Sequence, residues 1–339
     1  MSPSNLTESL AAAWRAREAL IERLANENTT AYRLLHGSVE GQPGLTVDRY
    51  GAAVLVQSFH RSLQAAELED IRTFLAGQLP QVPVHYNDRS EANSRVAAAT
   101  QGEAGDSASA PRTFAEIGVQ YHYQARHAGQ DPWLFLDLRA GRRRIMSLAG
   151  GRSVLNVFAY TCGVGVAALK AGAKSVLNVD FAASGLEIGR ANAALNSQGN
   201  AISFVQCDAF AALRQLADLG QPQRVRGVRL PTFARLAPQT FDLVVLDPPR
   251  YSRSPFGVVD VVVDYAAIFK PALLATAPGG FLLCTHHVPS VTRATWLDQL
   301  QRCARKVGRP LLDHAWIDPE ADFPSLDGEF ALKMLLVRV

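Results

Sequence analysis

The chain reads as an α/β protein: a doubly wound, mostly parallel, seven-stranded Rossmann-like sheet preceded by a smaller α+β domain. Three observations predict this class. From Val154 onward the apolar strands VLNVF, SVLNV, ISFVQ, FDLVVL and GGFLLCTH alternate with helical stretches, an order that requires parallel pairing through crossover helices. A glycine-bearing turn separates the first of these strands from its helix, and carboxylates close the later ones at Asp180, Asp208 and Asp247. The first half instead mixes short strands with isolated helices.

Asn5 followed by Glu8 is a helix-capping pair, and Leu10, Trp14, Ile21 and Leu24 recur at near-helical spacing, predicting an amphipathic opening helix. GQPGLTVDRYG sets a turn before TVDRY, and AAVLVQSF follows Gly51 as a strand. Leu63 to Leu79 reads as helix, VPVHYNDRS as extended chain and FAEIGVQYHYQ as a strand pair. The small polar stretch Ala97 to Pro111 is a loop. WLFLDLRAGRRRIMSLA predicts an extended lead-in and then a helix, with Arg142, Arg143 and Arg144 on its polar face. These segments divide into an N-terminal helix over 1–30, a small α+β domain over 31–128 that is a candidate for substrate recognition, and a ligand-binding sheet domain over 129–339.

With 339 residues and 48% hydrophobic content the chain can bury a sizeable core. Lys plus Arg exceeds Asp plus Glu by only three, so the overall charge does not argue for a polyanionic partner. Cys162, Cys207, Cys284 and Cys303 show no metal-ligand or disulfide spacing, which points to a reducing cytoplasm and no metal. No apolar run approaches the roughly 18 residues of a membrane span.

The stretch Val154 to Asp180 reads as strand, glycine turn, helix and strand, a nucleotide cradle. Gly163 and Gly165 let backbone amides approach a ligand because glycine tolerates positive φ and has no side chain in the way. Asp180 can accept from both ribose hydroxyls, and Asp208 from an adenine amino group, with Ala209 beside it. Gly163-x-Gly165-x-x-Ala168 also satisfies the dinucleotide fingerprint. In that fingerprint the first glycine directly ends the strand, whereas here Ala159, Tyr160, Thr161 and Cys162 intervene and widen the loop for a methionine tail. LDPPR has no role in hydride transfer, so the spacing favours S-adenosylmethionine over a nicotinamide.

Asp247-Pro248-Pro249 follows an apolar strand and lies beside the cofactor loop. Two prolines withhold their amides and fix the backbone, keeping the Asp247 carboxylate outward to position an acceptor. His286 and His287 can orient a base or move a proton. Strand alternation puts Cys284 on the face opposite His287, as a buried structural thiol.

The chain resembles the bacterial large-subunit ribosomal RNA methyltransferases of types I and K, roughly from Tyr32 to Val339. The matching segments include YRLLHGSVEGQPGLTVDRYG, HYNDRS, WLFLDLR, LNVFAYTCGVGVAAL, NVDFAASGLEIGRANAALN, LDPPR, GGFLLCTHH and DFPSLDGEFALKMLLVRV. The resemblance implies cofactor contacts from Asn156, Phe158, Tyr160, Thr161, Gly163, Asp180, Phe181, Asp208 and Asp247, with Phe135, Asp137 and Arg139 supplied by the LFLDLR segment. Arg139 suits the methionine carboxylate. Two departures stand out. The type I enzymes open with a PUA domain, whereas only a short helix precedes Tyr32 here, so no RNA docking mode carries over. The 5-methylcytosine members use a cysteine where this sequence has His287, which removes the nucleophile for covalent cytosine chemistry and favours a nitrogen acceptor.

Gln221 to Thr240 carries Arg224, Arg226, Arg229 and Arg235 without an acid, a basic loop at the sheet edge suited to phosphates. Arg250, and Tyr251 or Phe256 as a stacking surface, extend that RNA-facing set. The expectation is methyl transfer from S-adenosylmethionine to a nucleobase of RNA, ribosomal RNA above all. The alternatives are a protein or small-molecule methyltransferase, and a non-catalytic RNA-binding protein that keeps the fold.

Overall fold

The computed structural model describes residues 3–90, 112–125, 131–196, 201–220, 224–225, 228–229, 232–254 and 257–339. The expected loop from Ala97 to Pro111, together with Arg226 and Phe256, lies outside them. The chain divides into two units: residues 1–139 with 319–329, and residues 140–318 with 330–339. The boundary therefore falls later than the expected 128/129. The opening helix belongs to the first unit instead of forming its own, and a late segment, Pro319–Glu329, joins that unit as well.

In the first unit, α1 (Pro3–Asn26) buries Leu6, Leu10, Ala13, Leu20 and Leu24, a stripe at three- and four-residue spacing. Asn5 lies inside this helix, which already begins at Pro3, so it is not the cap; Trp14 and Ile21 are only half-buried. Arg17 occupies the stripe's missing position, buried, with Nη2 2.6 Å from Glu40 Oε1. The strands β1 (Ala31–Leu35), β2 (Leu45–Tyr50), β3 (Ala53–Ser58) and β4 (Val84–Asp88) form one sheet in that order. β1, β2 and β3 pair antiparallel, while β4 returns parallel to β3 through α2 (Ala65–Gln78). β5 (Arg112–Glu116) and β6 (Val119–Tyr123) make the expected hairpin.

The second unit holds α3 (Arg139–Ala149, shared at its first residue), β7 (Ser153–Val157), α4 (Gly163–Lys170), β8 (Ser175–Asp180), α5 (Ala183–Leu195), β9 (Ile202–Gln206) and α6 (Ala209–Leu216). Two short hairpins follow, β10 (Arg224–Val225) with β11 (Val228–Arg229), and, after β12 (Phe241–Leu246), β13 (Tyr251–Ser254) with β14 (Gly257–Asp260). The chain ends through α7 (Val261–Leu274), β15 (Thr276–His286), α8 (Arg293–Lys306), β16 (Asp313–Ile317) and β17 (Lys333–Arg338).

The sheet has seven strands in the order β16-β17-β15-β12-β7-β8-β9. Its five members from β15 to β9 are parallel, and β16 and β17 are antiparallel additions at one edge. Leu155, Val157, Val244, Leu246, Leu282 and Cys284 on one sheet face pack with Phe210, Tyr265, Phe269, Trp296 and Leu300 from α6, α7 and α8. The chain runs outward from β7 to β9 and then crosses back to β12, so strand order reverses between β7 and β12. Ligands of such sheets bind outside the carboxyl ends of the strands at that reversal.

Candidate active site

The segment after β7 is built on left-handed residues that are not glycine. Phe158, Tyr160 and Cys162 have φ of 57, 49 and 59°. Each such residue costs about 1–2 kcal/mol, and the turn they make is tied back by the Ala159 amide to the Val179 carbonyl and by the Cys162 amide to the Ala159 carbonyl. The Tyr160 amide donates to Asp180 Oδ2 and the Ala182 amide to Oδ1, both at 2.8 Å.

The glycines act differently from the sequence expectation. Neither Gly163 nor Gly165 has positive φ; their value is close approach. A β-carbon on Gly165 would strike the Asn178 side chain, one on Gly189 the Cys162 sulfur, and one on Gly185 would lie 2.8 Å from the Tyr160 carbonyl oxygen. α4 thus seats directly on β8, and α5 seats against the loop.

Asp180 is buried, and burial pushes its carboxyl up despite the amides of Ala182, Tyr160 and Phe181. Phe181, immediately after it, is 70% exposed. Asp208 caps α6 through the Ala211 amide at 3.0 Å, and burial likewise raises its carboxyl. Asn156 is buried and donates to Asn178 Oδ1 at 2.9 Å, so it braces two strands rather than reaching outward. Ala159, Thr161 and Ala209 are also buried, Phe158 packs partly on the core, and Tyr160 is half-buried.

Register explains the other side of the site. Leu246 pairs with Cys284, which brings Asp247 level with Thr285, and His287 follows two residues later on the same face. Thr285 Oγ1 donates to Asp247 Oδ1, and His287 Nε2 lies 2.9 Å from that oxygen. Burial raises the Asp247 carboxyl, but the bond from His287, the charge that ring carries when protonated, the Thr285 hydroxyl and the positive charge of Arg142 outweigh it and hold the group below the usual range. Pro248 is buried and Pro249 exposed.

The same alternation separates the two histidines. His286 and Cys284 face the core, where His286 stacks on Tyr265 at 5.6 Å. His286 is therefore a core residue, not a partner of His287 in chemistry. Cys284 is fully buried and its thiol is pushed up by burial, as is that of Cys162.

Two arginine expectations are corrected. Arg139 is completely buried in the first unit, with Nη2 2.7 Å from Asp322 Oδ2, Nη1 3.1 Å from Glu320 Oε2 and Nε 3.6 Å from Glu116 Oε2. Its guanidinium serves protein carboxylates and is not the methionine-carboxylate partner. Arg142 is buried rather than on a polar face; of the three consecutive arginines only Arg144 is exposed. In the first unit Phe135 is 45% exposed and Asp137 lies in the turn of 3-10 helix Leu136–Leu138. Sequence reasoning missed Thr285 and Arg142; strand alternation through CTHH is the signal that would have found Thr285.

Among the basic candidates, Arg250 is exposed with its guanidinium 4.9 Å from the centroid of the Tyr251 ring, itself 55% exposed. Arg224 and Arg229 pair across the β10–β11 hairpin, and Arg235 is exposed. Among the described residues no His, Cys, Asp or Glu group is arranged to hold a metal ion, and no helix is long and apolar enough to cross a membrane.

A doubly wound sheet with a buried carboxylate ending β8, a half-buried one just beyond β9, an exposed aromatic beside the first and a strained loop before α4 is the architecture of a nucleoside-binding α/β protein. Two carboxylates, Asp180 and Asp208, and the exposed ring of Phe181 are groups of the kinds that fit a nucleoside's hydroxyls, amino group and base face. Residues 32–237 match the family model described as S-adenosylmethionine-dependent methyltransferase. The chain belongs to that family. It is 31% identical over 310 residues to the ribosomal RNA large subunit methyltransferase of Deinococcus radiodurans, covering 88% of this chain and 70% of that protein. It is 30% identical over 276 residues to ribosomal RNA large subunit methyltransferase I of Aeromonas salmonicida, covering 80% of this chain. The match spans 63% of that relative's length. Among solved structures, a methyltransferase complexed with SAH has the same fold, with a TM-score of 0.81 and 21% identity over 100% of this chain and 82% of that one. A SAM-dependent methyltransferase from Streptococcus mutans gives a TM-score of 0.78 at 21% identity, with the same coverage.

Proposed function

We propose that the protein transfers a methyl group from S-adenosylmethionine to a nucleobase of RNA, with ribosomal RNA as the substrate and the cytoplasm as the place of reaction. The observation that carries this reading is the constellation Asp180, Asp247 and His287 at the carboxyl ends of the parallel strands, with Asp247-Pro248-Pro249 beside the reversal in strand order. The relatives named as ribosomal RNA methyltransferases support the substrate class.

When bound, the cofactor supplies a methyl group activated by its sulfonium. The chain's own residues hold and aim: Asp180 accepts from the ribose, Phe181 offers a face to the adenine, and Asp208 its carboxylate to the amino group. Asp247 and the proline-fixed backbone orient the acceptor, and alignment of this kind supplies much of the acceleration in bimolecular transfers. Arg250 and Tyr251, on the segment leaving Pro249, offer a phosphate contact and a stacking surface for an unpaired base. Arg224, Arg229 and Arg235 add basic charge nearby in sequence.

The test is incubation of the purified protein with labelled cofactor and separated RNA, protein and metabolite fractions from cells lacking the gene. Label in RNA, assigned by nucleoside mass spectrometry, is the expected result. Label in protein or metabolites but not in RNA overturns the reading.

A further inference from the structure

We propose that His287, held by Asp247, is the proton acceptor of the transfer step, so that the methylated atom is a nucleobase nitrogen bearing a proton, either an exocyclic amino group or a ring N–H. This rests on the RNA reading above and names its acceptor chemistry. Asp247 Oδ1 receives the Thr285 hydroxyl and faces His287 Nε2 at 2.9 Å. An ionised carboxylate only accepts, so Nε2 carries the ring proton and the basic electron pair of neutral His287 is on Nδ1. Arg142 from α3 bears on Asp247, and the neutral, buried His286, next in sequence, lies in the field of Lys333 and Asp260. His287 is 40% exposed and Asp247 23%, so the dyad is open to a substrate while its bond is partly shielded.

The acceptor nitrogen bonds to the methyl carbon while the carbon–sulfur pair stays on sulfur, and the nitrogen's proton passes to Nδ1. The imidazolium is then paired with Asp247 until it releases its proton to water, the arrangement by which a buried carboxylate supports a histidine base. Other acceptors fit worse. Methylation of a pyrimidine ring carbon needs a thiolate, and Cys162 and Cys284 are fully buried with thiols pushed up. A ring nitrogen without a proton has no use for a base.

The experiment compares wild type, His287→Asn and Asp247→Asn on RNA from the deletion strain, reading product nucleoside, kcat, KM and pH profile, with binding of S-adenosylhomocysteine by calorimetry. Ring nitrogen NMR of the cofactor-free protein reports the His287 tautomer. The expected results are an N-methylated base derived from an N–H group, and a fall in kcat of roughly 10² or more for His287→Asn with KM and cofactor affinity little changed. The acid limb of the wild-type pH profile disappears in that variant, and the Nε2–H tautomer of His287 loses its preference in Asp247→Asn. A carbon-methylated or cationic product, or a His287→Asn enzyme with wild-type kcat and pH profile, overturns the inference alone. Absence of transfer to RNA by the wild type overturns the RNA reading and this inference with it.

Discussion

The Asn178 side chain fills the space that a β-carbon on Gly165 would need. Asn178 cannot swing away: it is fully buried, accepts from Asn156 Nδ2 at 2.9 Å and donates to the Ser203 carbonyl at 3.3 Å. The close seating of α4 on β8, and with it the shape of the Phe158–Cys162 loop, depends on this one missing methyl.

Gly165→Ala is therefore expected to cost about 1–3 kcal/mol of stability, the usual range for overpacking, and to weaken S-adenosylhomocysteine binding at least about tenfold. Urea unfolding and calorimetry read the two effects. Adding Asn178→Ala should recover part of the loss, because contacting residues couple; equal binding by wild type and Gly165→Ala would show that the contact does not shape the loop.

The Arg139–Asp322 pair sits in the first unit with neither partner exposed. Removing one member of a buried ion pair strands the other, at about 3–5 kcal/mol, whereas replacing both with apolar groups costs far less. Arg139→Met should lower the urea midpoint sharply, because it strands Glu116 and Glu320 together with Asp322, and Asp322→Ala should lower it less, because those two carboxylates still hold the guanidinium. A single variant as stable as wild type would rule out this role.

The parallel order of β7, β8, β9, β12 and β15 was legible because each strand is a short apolar run bounded by turn residues. The places of Asp180, Asp208 and Asp247 at or just beyond the ends of β8, β9 and β12 were legible for the same reason. The left-handed loop was not, because Phe158, Tyr160 and Cys162 are residues for which positive φ is unfavourable and only the surrounding packing imposes it. Arg139 and Arg142 were misread for a related reason. An arginine reads as polar from sequence, and burial depends on carboxylates such as Asp322, 183 positions away. Thr285 was overlooked although the period of two through CTHH already separates it from Cys284.

Cysteine reactivity offers a direct check of the site chemistry. Cys162, Cys207 and Cys284 are buried with thiols raised by burial, and Cys303 alone is half-buried. Brief alkylation of the native protein should add no more than one label, at Cys303, while denatured protein takes four. Peptide mass spectrometry locates the label. Cys284→Ala should retain methyl transfer, and its loss would restore a covalent route through that sulfur.

His286 should make stability fall on the acid side. It is 1% exposed, and Nδ1 accepts the Val288 amide at 3.2 Å, a bond that needs the neutral ring. Burial, with the charges of Lys333 and His287, lowers its pKa to about 4, against the favourable contacts of the Val261 backbone and Asp260. The unfolded chain protonates near the ordinary value of about 6.5, so above that pH both states are neutral and nothing is lost. Between there and about 4 the unfolded state binds the extra proton and stability declines; below about 4 the loss is complete, at roughly 3 kcal/mol or less. His36, also lowered to about 4, contributes in the same direction, so the measurement is a difference. His286→Phe, which keeps the stacking on Tyr265 but leaves the Val288 amide unpaired, should be less stable at neutral pH. Its urea-unfolding free energy should also vary less than the wild type's from pH 7 to 4. Parallel curves over that interval would mean that His286 takes up its proton in the folded protein as readily as in the unfolded chain.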